Sequence, residues 1–359
     1  MTELDELLAR LVEEGGTDLV VKAGSAPHGR VGGRLQPLDA EPLDQDGVAR
    51  LLTGVVPAAR AAELTEVGET EFAHSVAGVG RFRVSAFRQR GTVAFMCHRV
   101  VPGLPTAEEL GLPPVLEKIC GEGRGLVIVT GPGGSGVTTT LCALVDHVNQ
   151  TRSCHVVTIE APIEYLHPDK RALVSQREVG TDTRSVAAGV ARAIRQGADV
   201  LAVGAAGDAE AQRAALAAAE AGALVIVVMP ALSAAEALVR VVEAFPEAER
   251  RRWRTTLAAV LRGVLSQRLL DRADGKGRVP AVEVLLGTAK VADCIAEDRL
   301  ADLARVIADG EYHGMQTLDR ALEQLARDGL VSVRDAVALA DEPEELRLGL
   351  GALSTPSGW

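Results

Sequence analysis

Short apolar runs separated by turn-forming residues mark the candidate strands in the first part of the chain. Between residues 17 and 101 these runs are DLVVKAG, HGRVGGRLQPL, TEFAHSV, GRFRVSAFRQRG and TVAFMCHRV. Their alternation with turn residues predicts a small mixed α/β domain. The stretch VPGLPTAEELGLPP, residues 101–114, is rich in proline and typical of a linker. We therefore expect a domain boundary near residue 105.

A different pattern follows the linker. Four runs rich in Val, Ile and Leu alternate with stretches of helical character: GLVIVTG, HVVTIEAP, DVLAVGA and ALVIVVMP. Such runs suit strands that are buried on both faces of a parallel sheet. Helices are expected over 192–197 and 209–221, and another from 234 onward. The pattern predicts a doubly wound α/β core. From Glu283 the spacing indicates helices alone, followed by a small, polar tail over 351–359.

Composition and charge narrow the class of protein. The chain has 359 residues, 47% of them hydrophobic, which is enough for two domains with a well-buried core. Its net charge of −11 disfavours nucleic acid as a partner. The five cysteines form no CxxC pair, which argues against a disulfide framework and a zinc site and fits a reducing cytoplasm. The first residues, MTELDELLARLVEEGG, lack the features of a secretory signal.

The segment Gly131 to Thr139, GPGGSGVTT, lies between the apolar run LVIVT and the apolar helix TLCALVDHV. This is the context of a phosphate loop, GxxxxGKS/T, in which backbone N–H groups converge on phosphate and the lysine reaches the β and γ phosphates. Here Val137 occupies the lysine position. Taken alone, the segment is also compatible with a glycine-rich turn that binds nothing.

Further segments in the same order extend the comparison beyond the loop. The chain resembles the PilT/PilU family of type IV pilus retraction ATPases, of the GspE/PilT type, from Thr17 to about Leu330. GRFRVSAFRQRG resembles the family's RFR-V-AF-QRG segment and HVVTIEAPIEYLH its Asp box, TIEDPIE. ALVSQREVG, LSQRLL and GMQTLDRALEQLARDGLVS resemble further landmarks. An unrelated phosphate-loop enzyme, such as a small-molecule kinase, is disfavoured because the amino-terminal domain and LSQRLL also match.

The chain departs from the family pattern at positions that bind nucleotide or catalyse hydrolysis in the family. In the phosphate loop Val137 replaces the lysine, whereas Thr138 keeps a hydroxyl. In the Asp box Ala161 replaces the aspartate, whereas Glu160 and Glu164 remain. Loss of the lysine is expected to weaken nucleotide binding by about ten- to hundredfold.

Two more catalytic motifs and one carboxy-terminal signature are altered. The Walker B segment, VGEMRD in the family, is VGAAGD here, so that Ala205 replaces the catalytic glutamate. The His box, GHLVFGTLHT, has become residues 222–231 without histidine, with Pro230 at the second histidine position. The AIRNLIRE signature is replaced by Lys290 to Glu297. Loss of a general base alone removes about 10² to 10⁴ in rate.

The resemblance implies a PAS-like amino-terminal α/β domain (1–105), a RecA-like core (106–285), a helical section (286–350) and a tail (351–359). It implies ATP and Mg²⁺ as weakly bound cofactors, with Glu164 as the retained acid of the site and Thr138 as a weak Mg²⁺ ligand. The implied nucleotide-binding residues are Gly131, Gly133, Gly134, Ser135, Gly136, Val137, Thr138, Thr139, Glu160 and Arg83. In the family, an arginine at the Arg83 position reaches the nucleotide of a neighbouring subunit.

Two functions remain open at this point. One is a catalytically impaired subunit, cytoplasmic and peripheral at the inner membrane, that forms a homo-hexamer or a mixed hexamer with an active PilT-type paralogue. Such a subunit would contact the inner-membrane pilus platform protein and no nucleic acid. The alternative is an active hexameric ATPase that drives pilus retraction and twitching motility, with Arg192 or Arg195 replacing a lost cation. The four altered motifs favour the first.

Overall fold

The structure is a computed structural model that describes residues 2–38, 41–100, 103 and 105–351. The expected linker falls partly on residues 101, 102 and 104, and the expected tail on 352–359, which lie outside the described residues. The chain divides into two compact units. The first comprises Met1–Gly103 and Pro162–Leu166, and the second Leu104–Ala161 and His167–Trp359.

The first unit contains a six-stranded antiparallel sheet with strand order β3-β2-β1-β6-β5-β4. Its strands are β1 (Asp18–Lys22), β2 (His28–Val31), β3 (Arg34–Pro37), β4 (Glu69–Val76), β5 (Gly80–Gln89) and β6 (Thr92–Val100). Its helices are α1 (Glu3–Glu13), α2 (Gln45–Thr53) and α3 (Ala58–Glu66). Helix α1 places leucines on one face, and Leu4, Leu8, Phe82 and Phe95 are fully buried in the core of this unit. The predicted mixed α/β domain is confirmed.

The second unit is built on a seven-stranded sheet with strand order β13-β12-β7-β11-β10-β8-β9. The strands are β7 (Gly125–Thr130), β8 (His155–Glu160), β9 (Leu173–Glu178), β10 (Val200–Val203), β11 (Leu224–Met229), β12 (Leu261–Asp271) and β13 (Arg278–Leu286). All neighbouring pairs are parallel except β12 with β13, which is antiparallel. The predicted doubly wound α/β core is confirmed, with an antiparallel strand added at one edge.

Helices cover both faces of this sheet and form the carboxy-terminal section. They are α4 (Val115–Cys120), α5 (Val137–Thr151), α6 (Val186–Arg195), α7 (Ala209–Glu220), α8 (Ala234–Glu243), α9 (Glu247–Val260), α10 (Ala289–Ala296), α11 (Leu303–Ala308), α12 (Leu318–Arg327), α13 (Val333–Leu339) and α14 (Pro343–Leu350). Strands β7, β10 and β11 are wholly buried, because apolar clusters form on both sides of the sheet. Among the described residues, no helix is both long enough and apolar enough to cross a membrane.

One element prediction was wrong, and one predicted helix has different bounds. The pattern from Glu283 onward was interpreted as helices alone, but Glu283 lies in β13 and the helices begin at Ala289. Pro280 and Glu283 interrupt the apolar run, and an edge strand tolerates the proline because one side of its backbone needs no partner strand. The helix expected over 192–197 is α6, which ends at Arg195.

Candidate functional site

The phosphate loop and the segments that correspond to the Asp box, Walker B and the His box follow neighbouring parallel strands. They therefore lie together at the carboxyl ends of the strands of the core sheet. Strands β7, β11, β10 and β8 are neighbours, so their carboxyl ends lie side by side. Thr130 pairs in register with Met229, and Val203 pairs with both Val227 and Ile159. Ligands of open α/β sheets bind in the crevice outside these strand ends. The phosphate loop is therefore beside the segments that correspond to the Walker B, His and Asp boxes.

The phosphate loop has the backbone shape that its glycines permit. Gly134 and Gly136 have φ angles of +79° and +82°, in the left-handed region that favours glycine. A Cβ atom added at Gly133 or Gly134 would meet no atom within 4 Å, so the outer side of the loop is open. Gly136 precedes the 15-residue helix α5 and no side chain caps that helix. The N–H groups that point out of the first turn of a helix and the positive end of its dipole suit a phosphate group.

The inner side of the loop is fixed by Gln267 on β12. Its Nε2 donates to the Ser135 carbonyl oxygen at 2.6 Å, and its Oε1 accepts a hydrogen bond from Thr140 Oγ1 at 2.8 Å. A Cβ atom at Gly131 would collide with Ser135 Oγ and the Gln267 carbonyl oxygen, which explains the glycine there. The Ser135 hydroxyl is buried without a hydrogen-bond partner. Gln267 thus holds the loop against the sheet through two buried hydrogen bonds.

The last three residues of the phosphate loop carry no charged side chain. Val137, Thr138 and Thr139 are half-buried at the start of α5. Val137 packs against the apolar cluster on one face of the sheet. Its isopropyl group cannot bind phosphate, whereas the Thr138 hydroxyl is a possible single ligand for Mg²⁺.

The strand end that corresponds to the Asp box keeps one acid and loses the other. Glu160 is the last residue of β8 and is 4% exposed. Its Oε1 accepts hydrogen bonds from Thr158 Oγ1 at 2.6 Å and Gln176 Nε2 at 3.1 Å. Ala161, which follows it, is exposed. Among the described residues no group of three or more His, Cys, Asp or Glu side chains is arranged to hold a metal ion.

The strand end that corresponds to Walker B has no acid in the family's glutamate position. Ala205 is exposed just beyond β10, and Ala206 beside it is buried. The one carboxylate of this segment, Asp208, caps α7 by accepting a hydrogen bond from the Ala211 N–H at 2.7 Å. A capping aspartate is a structural group. No side chain from Gly204 to Gly207 can activate a water molecule.

The segment after β11, which corresponds to the His box, is hydrogen-bonded to side chains of β7, β12 and β13. Thr130 Oγ1 donates to the Ala231 carbonyl oxygen at 3.0 Å, and Ser266 Oγ donates to that of Leu232 at 3.1 Å. Glu283 Oε2 accepts a hydrogen bond from the Ala234 N–H at 2.7 Å, at the start of α8. Burial raises the pKa of Glu283 to about 7, with the Asp341 carboxylate adding to the rise and Arg268 opposing it.

Two further predicted site residues belong to the first unit. Arg83 and Glu164 line a cavity of about 210 Å³ together with His98, Arg99 and Tyr165. Glu164 is exposed by surface area, yet loss of surrounding water raises its pKa, while the positive charges of Arg83 and His98 act in the opposite direction. His98 Nδ1 is 2.7 Å from Asp18 Oδ1. Within this unit the structure brings together the Arg83 and Glu164 side chains, which the sequence did not pair.

The predicted site residues therefore fall into two groups. Those of the phosphate loop and Glu160 lie along the carboxyl edge of the core sheet, and Arg83 and Glu164 share a cavity in the first unit. Sequence reasoning missed Gln267, Arg278 and Glu283 as neighbours of the loop and of the segment after β11. Gln267 belongs to the LSQRLL landmark, but no spacing rule connects it with a loop more than a hundred residues earlier.

Comparison with known proteins gives a consistent result. Residues 112–335 match the family model of the type II/IV secretion system protein. The type IV pilus ATPase PilU of Pseudomonas aeruginosa is 38% identical over 346 residues, which is 96% of this chain and 91% of that protein. The type IV pilus retraction ATPase PilT of the same species is 39% identical over 342 residues, 95% of this chain and 99% of that protein.

A solved structure agrees with the sequence comparison. The crystal structure of the pilus retraction motor PilT with bound ADP superposes with a TM-score of 0.87 and is 35% identical, covering 97% of this chain and 99% of that chain. The four motifs lie at the carboxyl ends of neighbouring parallel strands, where open α/β sheets bind their ligands. The chain thus belongs to the PilT/PilU family of type IV pilus motor ATPases, within the type II/IV secretion system proteins.

Proposed function

We propose that this chain is a catalytically impaired subunit of a type IV pilus motor, which binds nucleotide weakly and regulates or completes a ring formed with an active paralogue. The observation that carries the proposal is Ala205, exposed at the end of β10 where the family has its catalytic glutamate. A methyl group can neither orient nor deprotonate a water molecule. The pilus role is supported by relatives described as type IV pilus ATPases.

The remaining geometry supports binding better than turnover. The loop offers backbone N–H donors at the start of α5, and Gln267 holds it in place. These groups bind phosphate whether or not hydrolysis follows. Stabilisation of the transferred phosphoryl group needs a cation and a positioned water molecule. Val137 and Ala205 provide neither, so the expected rate is close to that of uncatalysed hydrolysis.

The second part of the proposal concerns assembly into a ring. A subunit that does not hydrolyse ATP can still act by occupying a position in a homo-hexamer or a mixed hexamer and altering the turnover of its neighbours. We place it in the cytoplasm at the inner membrane, in contact with the pilus platform protein. The support is that segments such as GRFRVSAFRQRG and GMQTLDRAL remain similar to the family, although the catalytic positions have changed.

Phosphate release from ATP and Mg²⁺ tests the catalytic half. The purified chain should release phosphate at the rate of a no-protein control. The alternative function, an active motor, draws on Glu164, whose carboxyl has a raised pKa beside Arg83. Turnover within the ordinary enzyme range of roughly 1 to 10³ s⁻¹, abolished by Glu164→Ala, would establish that alternative and refute the proposal.

Native mass spectrometry of the chain, alone and co-expressed with a catalytically intact paralogue, tests the assembly half. We expect hexamers that contain this chain, and an altered turnover of the paralogue in mixed rings. A chain that stays monomeric in both preparations, at concentrations where the paralogue alone forms rings, would remove the motor-subunit role.

A further inference from the structure

One cationic side chain reaches the phosphate loop from outside it. Arg278 is the first residue of β13 and is exposed. Its Nη1 lies 3.5 Å from the Gly134 carbonyl oxygen, at the long end of hydrogen bonding. Such a weak contact holds the guanidinium near the loop and leaves it free to turn toward a better acceptor.

The backbone that carries Arg278 is fixed relative to the loop. Arg278 pairs in register with Asp271 across the β12–β13 hairpin. Strand β12 in turn pairs with β7, which leads into the loop, and Gln267 on β12 bonds to Ser135. The distance between the Arg278 backbone and the loop is therefore set by the sheet, so only the side chain has to move to meet a ligand.

The charge of Arg278 is not neutralised by an ion pair in the described part of the chain. Two other cations of the second unit do form ion pairs. Arg272, on the same hairpin, is bound to Asp274 at 3.2 Å, and Lys170 is bound to Asp146 at 2.7 Å. Arg268 donates to the Leu232 carbonyl oxygen. Arg278 thus brings an available positive charge to the loop.

The loop is open at Gly133 and Gly134, where added Cβ atoms would meet no other atom within 4 Å, and Arg278 contacts the loop at the second of these residues. A phosphate group there would meet the N–H groups at the start of α5 and the guanidinium together. A guanidinium binds two phosphate oxygens at once. We infer that Arg278 takes over from the lysine missing at position 137 and binds the phosphate groups of a nucleoside di- or triphosphate. This inference rests on the proposed nucleotide binding and names the side chain responsible for it.

Calorimetry with ADP and with inorganic pyrophosphate tests the assignment. Arg278→Ala should weaken binding of both probes by about ten- to hundredfold, because it removes charge-assisted hydrogen bonds to phosphate. Arg278→Lys should recover part of the loss. Lys276→Ala is the matched control. It removes one positive charge from the same hairpin, at a side chain that makes no hydrogen bond or ion pair with the loop in the described part of the chain, and should change affinity less than twofold. Urea midpoints of all variants should agree.

Three outcomes would overturn the assignment. They are equal affinity of Arg278→Ala and the original chain, an equal loss with Lys276→Ala, and no binding of either probe by the original chain at millimolar concentration. Val137→Lys adds a sharper test, since a lysine at that position should make Arg278→Ala less costly. An undiminished loss in that background would mean that Arg278 does not replace the lysine. Absence of binding by the unsubstituted chain would also refute the weak nucleotide binding of the proposed function, whereas the other outcomes would refute the role of Arg278 alone. Ring assembly is tested separately by mass spectrometry.

Discussion

The phosphate loop and the strand ends beside it lie on one edge of one sheet, but they have changed in different ways. The loop keeps its glycines, its left-handed residues and its clamp at Gln267. The neighbouring ends of β8, β10 and β11 have lost acid or histidine positions of the family, and Ala161, Ala205 and Pro230 now occupy them. A phosphate loop binds mainly through its backbone, whereas the family pattern at those strand ends depends on individual side chains.

The difference shows how a fold can be retained while individual side chains along one end of its sheet change. Backbone geometry depends on many contacts, such as the buried strands and the apolar clusters on both faces of the sheet. A catalytic group depends on one side chain, and its exchange for alanine at an exposed position costs the fold little. An intact scaffold with an altered edge is therefore a stable state for this chain.

Removal of the Gln267 side chain, which holds the phosphate loop, should have the largest effect on stability. Gln267→Ala leaves the Ser135 carbonyl and the Thr140 hydroxyl buried without partners, and we expect unfolding free energy to fall by about 2 to 5 kcal/mol. Urea denaturation measures this loss. Gln196→Ala on the exposed end of α6 is the control, with an expected change within about 0.5 kcal/mol. Equal stability of the two variants would show that the loop needs no clamp.

The contribution of Glu283 to the free energy of unfolding should depend on pH. Glu283 has a pKa of about 7 in the folded protein against an ordinary value of 4.5, so between these pH values the folded state binds more protons than the unfolded state. The free energy of unfolding therefore falls as pH rises through that window. At pH 8, Glu283→Gln should be about 2 to 3 kcal/mol more stable than the original chain, and at pH 4.5 nearly equal to it. Parallel pH profiles of the two proteins in urea melts would contradict this.

A lysine at position 137 should change nucleotide affinity but not the rate of hydrolysis. Val137→Lys should tighten ADP binding by about tenfold, measured by calorimetry, because the backbone cradle is already present. Phosphate release should stay at background, since Ala205 is unchanged. Val137→Met, which adds length without charge, is the control for packing. Recovery of turnover by Val137→Lys alone would show that the strand ends are still competent.

The smallest expected effect concerns the remaining acid of the Walker B segment. Asp208→Ala removes the cap of α7 and should lower the unfolding free energy by about 1 kcal/mol, without changing nucleotide affinity. Asp208→Asn should restore most of the stability, because asparagine also caps helices well. A loss of nucleotide affinity in Asp208→Ala that Asn does not restore would instead assign Asp208 to the site.

The sequence predicted the parts of the fold that depend on local pattern. The runs GLVIVTG and ALVIVVMP became β7 and β11, and the glycine spacing located the loop before α5. It missed β9, β12 and β13 because polar residues such as Gln176, Arg268 and Glu283 interrupt their apolar runs. It also missed the Gln267 clamp and Arg278, since these contacts join residues more than 130 positions apart.

That separation has a consequence for how the chain is made. The ribosome completes Ser135 well before Gln267, and β7 acquires its parallel neighbour β12 only when residues beyond 261 have emerged. During this interval the core sheet lacks β12 and β13, so that β7, which is buried in the complete sheet, is left as an exposed apolar edge strand. Parallel pairing across such a distance also folds slowly. Nascent chains arrested before residue 261 should therefore be the ones that require a chaperone most, and arrest after residue 286 should relieve that requirement.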